Sequence, residues 1–186
     1  MAKFGKLTAR KRRQTMTDQV SELMEQLLQF DRTRLDWGYR NGLYLSADKI
    51  QGFRDTCPST AGWSHSIFAV TGVMGVAFGL VPIERKDVES AVVMHAPDEI
   101  SPQHRTIVVG ASLREFLCLG CVHGFAGLKN LALKGLSSNT KRYAQAANED
   151  DDDFDIYYEF RKDLNLEPWA NVAARLDELQ MLSVAL

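Results

Sequence analysis

The stretch "RTIVVGASLREFLCLGCVHGFAGLKNLAL" constrains this chain more than any other, because a strand pattern passes into a helix pattern at a marked point. "RTIVVGA" is β-branched and apolar, the composition of a buried strand. Ser112, followed three residues later by Glu115, makes a capping box. Its Ser hydroxyl accepts from the amide of residue 115, and its Glu reaches back to the amide of residue 112. Leu113, Phe116, Leu117, Gly120, Gly124, Leu128 and Leu131 then recur at helical spacing, with the glycines dividing the helix near Gly124. A strand ending at a capped helix predicts that both pack on one core.

The neighbouring segments extend that core on the strand side. "HSIFAVTGVMGVAFGLVPI" is rich in β-branched and aromatic residues and is interrupted by Gly72, Gly75 and Gly79, so it predicts paired strands with a turn or bulge. "SAVVMHA" predicts a further strand before "RTIVVGA". Before these, Met16, Val20, Leu23, Leu27, Phe30 and Leu35 fall near one helical stripe, with Thr15 or Thr17 as its cap. Asn41-Gly42 is a turn signal leading to a short "LYL" strand, and a helical turn or two stops before Pro58. Beyond residue 135 come a short helical piece, the aromatics Phe154, Tyr157, Tyr158 and Phe160 as an apolar face, and a last helix. That helix starts at Pro168, with Trp169, Val172, Leu176, Leu179 and Leu182 as its stripe. Helix, then mostly strands, then helices predicts an α+β domain with a mostly antiparallel sheet and flanking helices. We divide it into a basic arm (1–14), an α+β core (15–135) and a helical C-terminal extension packed on the same domain (136–186).

Composition narrows the function classes. At 186 residues, with 45% hydrophobic and 25% charged residues, the chain fits one soluble domain with a sizeable core. The net charge of −2 gives no global attraction to nucleic acid or an anionic membrane. Charge is segregated, however: Lys3, Lys6, Arg10, Lys11, Arg12 and Arg13 precede the first acid, Asp18, while Glu149 to Asp153 and Asp155 form an acidic run. A flexible solvated tail accounts for the basic stretch better than a nucleic-acid contact does. No stretch has the length of a membrane span or the apolar segment of a secretion signal, and three cysteines do not make a disulfide framework, so a cytoplasmic location is expected.

"MHAPDEISPQHR" concentrates His95, Asp98, Glu99 and His104, the residue types of a metal or acid/base site. Pro97 and Pro102 prevent the regular helix on which paired histidines would share one ion. The preferred reading is a connection between strands, with Asp98 bonded to local amides. The alternative is a small metal-dependent or acid/base enzyme using these four residues. Cys118 and Cys121 form a CxxC well inside the predicted helix, away from the helix start where a dipole activates a thiol, and are expected to be buried and inert. The glycine stretch matches no nucleotide-binding motif, and "NEDDDDFD" lacks the central Gly of a calcium loop. The expectation is no cofactor, no metal and no catalytic residue.

Ser112, Glu115, Phe116 and Leu117, placed as Ser-x-x-Glu-Phe-Leu after a strand, resemble the core pattern of the SUKH superfamily. That superfamily includes the fungal cell-wall assembly regulators and many bacterial immunity proteins. "HSIFAVTGVMGVAFGLVPIE" is similar to the family's strand pair, and the leading amphipathic helix fits too, so that the resemblance spans residues 17–135. It implies an α+β domain that binds a protein partner without catalysis, in bacteria often a cognate toxin. For such a partner the candidate surface is acidic and aromatic: Asp150, Asp151, Asp152 and Asp153 beside Tyr157 and Tyr158.

Overall fold

In the computed structural model the β-branched segments pair as a four-stranded antiparallel sheet in the order β1-β2-β3-β4. The structure describes residues 20–34, 36–45, 48, 50, 66–72, 76–85, 88–96, 106–128, 130–131 and 154–183. Strands β1 (Ser66–Val70), β2 (Ala77–Arg85), β3 (Val88–His95) and β4 (Thr106–Gly110) follow one another as neighbours. The register of β1 on β2 shifts between Ile67 and Ala69, which is the irregularity that the glycine-broken sequence predicts. In β3 the run from Ala91 to His95 is buried throughout, so the strand reads as a continuous apolar segment and does not alternate.

The described helices are α1 (residues 20–33), α2 (Trp37–Asn41), α3 (Leu113–Gly120), α4 (Phe154–Asp163) and α5 (Val172–Ser183). Together with the sheet they make a single-domain α+β fold. Aromatic rings tie the layers together: Phe68 and Phe78 from the sheet meet Phe116 of α3, with ring centroids 5.9 and 4.7 Å away. Phe116 meets Phe125 at 4.7 Å, Phe125 meets Phe160 of α4 at 6.5 Å, and Phe160 lies against Phe30 of α1 and Trp37 of α2. One continuous core therefore runs from the sheet to the helices on both sides of it in sequence.

Several boundaries differ from the sequence reading, each for a local reason. The Asn41-Gly42 pair does not turn between strands; Gly42, with φ of 74°, ends α2 in the left-handed conformation that glycine tolerates. Of "LYL", only Tyr44 pairs, as an isolated bridge to Val70. The α3 helix stops at Gly120, and Gly124, with φ of 69°, turns the chain into a 3-10 segment at Ala126–Leu128. The division expected near Gly124 is present, though the helix before it is shorter than the apolar stripe suggested. α5 begins after Asn171, whose side-chain oxygen accepts from the amide of Ala174 at 3.1 Å, so Asn171 is the cap and Pro168 lies outside the helix. Residues 1–14, Thr15, Met16, Thr17, Leu35, the turns before Pro58 apart from Asp48 and Ile50, which are helical, and the piece expected between residues 136 and 150 lie outside the described residues.

Candidate functional site

Of the four residues in the 95–104 motif, the structure describes His95 alone. It closes β3, opposite Ala77 of β2 and Thr106 of β4, and is 5% exposed. A histidine held there belongs to the sheet's interior end. Asp98, Glu99 and His104 lie outside the described residues, and among those described no three His, Cys, Asp or Glu side chains stand together as a metal site.

The cysteines occupy the second half of α3. Cys121 caps the helix and its thiol donates to the Cys118 carbonyl at 3.1 Å. Burial pushes the Cys121 thiol up to about 12, reinforced by the neighbouring Cys118. Burial also raises Cys118, against the pull of a backbone hydrogen bond from residue 167 and of Arg114. Both therefore stay protonated at neutral pH and lack the thiolate that nucleophilic or redox chemistry uses.

The capping box is a structural centre. Ser112 Oγ accepts from the Glu115 amide at 3.1 Å, while the Glu115 carboxylate takes the amide of Ala111 at 2.5 Å, one residue before the expected partner. The other oxygen of Glu115 accepts from Arg175 of α5 at 2.6 Å, and its carbonyl accepts from the Trp169 indole at 3.0 Å. Arg114 donates to the carbonyls of Leu164 and Asn165. Gln180 of α5 donates to the Val108 carbonyl, satisfying an acceptor of edge strand β4. These contacts fasten the C-terminal helices to the β4–α3 unit. Both carboxylate oxygens, the amide and the carbonyl of Glu115 are engaged within the fold, so the box acts as a brace.

The aromatic stretch of α4 divides in two. Ile156, Tyr157 and Phe160 face the core, one helical stripe buried against α1, α2 and the turn after α3. Tyr157 is thereby removed from the candidate surface: it is 9% exposed, and its hydroxyl donates to the Arg40 carbonyl at 3.3 Å. Tyr158 is 55% exposed, and its ring stacks on that of half-buried Phe154, with centroids 6.3 Å apart and planes 19° from parallel. Phe154 and Tyr158 are four residues apart, so one helical turn brings them together. Asp155 is exposed on the same turn, and Glu159 pairs at 2.8 Å with Arg34, the residue after α1. Asp150 to Asp153 immediately precede Phe154 in the chain and lie outside the described residues.

Tyr39 and Phe154 are not among the candidate surface residues that the sequence predicts. Tyr39 is 84% exposed on α2, between Trp37 and Asn41, which are both fully buried. Its position two residues from each of them puts it on the far face of the helix, a signal that a wheel drawn from Trp37 carries. The sequence puts Phe154, Tyr157, Tyr158 and Phe160 on one apolar face; the i, i+4 relation of Phe154 to Tyr158 is the pattern that separates this pair from buried Tyr157 and Phe160.

Among the described residues no helix is long and apolar enough to cross a membrane. No family model, no curated protein and no solved structure matches this chain.

Proposed function

We propose that this chain is a non-catalytic, cytoplasmic protein-binding module of the SUKH type, whose partner presents a basic surface, a toxin being one such partner. The observation that carries the reading is exposed Tyr158 stacked on half-buried Phe154, on a helix whose opposite face is anchored in the core. A large aromatic ring held in one orientation loses little entropy on binding, which is why tyrosines dominate interface hot spots. The sequence places four aspartates directly before this pair, and Asp155 stands exposed beside it. Acid beside an aromatic anchor favours a cationic partner through faster encounter and through cation–π contact.

The test uses the intact chain as bait, with Tyr158→Ala and the fourfold variant Asp150→Asn, Asp151→Asn, Asp152→Asn and Asp153→Asn alongside. A basic protein retained by the wild type, lost by Tyr158→Ala, and associating more slowly and with less salt dependence in the Asn variant supports the reading. Equal retention by all three baits overturns it. Stoichiometric metal in the purified protein, lost in both His95→Ala and His104→Ala, would replace it with the enzyme reading.

A further inference from the structure

Trp37 and Asn41 are both fully buried on α2, four residues apart, so one turn of the helix sets their side chains next to each other. Their surroundings are aromatic: the Trp37 ring meets Phe30 at 5.0 Å and Phe160 at 4.4 Å, and the Phe125 amide donates to the Asn41 carbonyl at 2.6 Å. Within this layer the indole Nε1 of Trp37 and both ends of the Asn41 side-chain amide find no hydrogen-bond partner among the described residues. The fold treats comparable groups otherwise. The Trp169 indole donates to the Glu115 carbonyl, and the Tyr157 hydroxyl, which lies against α2, donates to the Arg40 carbonyl. Nor does the backbone call for an asparagine here. The left-handed residue that ends α2 is Gly42, whereas Asn41 is the last helical residue, so the tolerance of asparagine for positive φ is unused. An apolar side chain would enter an aromatic layer without the cost of desolvating an amide, so the amide itself needs a reason.

We infer that α2 holds a buried water between Trp37 and Asn41, which accepts from the indole N–H and pairs with the Asn41 amide. Water is the ligand that these atoms select. The indole can only donate, while the amide carries donors at one end and an acceptor at the other, so a molecule that both accepts and donates satisfies them together. Side chains at i and i+4 stand about 5–6 Å apart at their Cβ atoms, and two hydrogen bonds of about 2.8 Å through one oxygen cover that separation. Buried waters take about two to four polar partners, which these groups supply. The site lies where α2 meets the buried stripe of α4 and does not depend on the face of α4 that exposes Tyr158.

Water-selective nuclear Overhauser spectroscopy on the intact, isotope-labelled chain tests this. The Trp37 indole proton, identified by its loss in Trp37→Phe, and the side-chain amide protons of Asn41 should show cross-peaks to water. Those peaks should have opposite signs in the laboratory and rotating frames, the signature of a long-lived bound molecule. Absence of the cross-peak at the Trp37 indole overturns the inference. A hydroxyl proton in exchange with solvent can relay such a peak, and Tyr157 supplies one beside α2. In Tyr157→Phe the peaks should persist; their disappearance assigns them to the hydroxyl and overturns the inference. Asn41→Leu keeps the side-chain volume and deletes the polar atoms, so the Trp37 cross-peak should fall below detection while dispersed amide signals report an intact fold. An undiminished Trp37 cross-peak in that variant would show that Asn41 does not hold the water, and overturns the bridge. Should Asn41→Leu fail to fold, the wild-type and Tyr157→Phe spectra decide the question by themselves.

Discussion

Helix α3 and helix α4 both expose a choice between core and solvent, and they resolve it differently. Around α3 nearly every group is engaged: Phe116 contacts rings from the sheet and from the following turn, and Glu115 alone takes the Ala111 amide, the Arg175 guanidinium and, through its carbonyl, the Trp169 indole. Along α4 one face is equally committed, yet Tyr158 is exposed and stacks on half-buried Phe154. Aromatic content by itself therefore predicts nothing about role. What separates Tyr157 from Tyr158 is one step of 100° around the helix and a carbonyl of Arg40 within reach of one hydroxyl. The α3 region joins sheet, helix and turn, whereas α4 leaves Tyr158 exposed.

Substitutions that sharpen this contrast begin in the core. Phe116→Ala removes the ring at which sheet, helix and turn meet, and should cost about 3 to 5 kcal/mol, read as a fall in the urea midpoint at unchanged slope. Its failure to destabilise the protein would dissolve the distinction between the two helices. Ser112→Ala deletes the acceptor of the Glu115 amide and should cost about 0.5 to 2 kcal/mol in the same assay; an unchanged midpoint would show that the cap is dispensable.

The strand and helix order of this fold was legible because the chain repeats its instructions. The run from Ser90 to Ala96 is apolar and β-branched, the register irregularity in β1 follows a glycine-rich sequence, and Ser112 with Glu115 marks a helix start twice over. Boundaries were less legible where one residue type serves two geometries. Asn-Gly favours left-handed backbone whether it joins strands or ends a helix, and only the burial of Trp37 and Asn41 decides for the helix. Pro168 and Asn171 both suit a helix start, and the Asn side chain prevails because it can satisfy the Ala174 amide. At the candidate surface, Tyr158 could be named from sequence, whereas the exclusion of Tyr157 depended on its distant partner at residue 40, which no local pattern reveals.

A smaller effect is expected at Asp31, on α1. Burial raises its carboxyl above the ordinary 3.8, outweighing the opposing pull of Arg32. An acid whose folded-state value is raised stabilises the protonated form, so the fold loses stability as pH rises through the shifted value and keeps it below the unfolded value. Asp31→Asn should therefore raise the melting temperature slightly at neutral pH, with the gain disappearing in acid below the unfolded value. A gain that is constant with pH would assign the effect to packing and not to charge.

The most direct test of the contrast is the affinity of Tyr158→Ala for the basic partner retained by the wild type, measured beside its thermal stability. Removing an exposed ring should change stability by no more than about 0.5 kcal/mol, whereas removing a docking anchor should weaken binding about tenfold or more. An intact melting curve with that loss of affinity is the result predicted for a recognition platform. Unaltered affinity, or a loss of binding that merely follows a loss of folding, would contradict it.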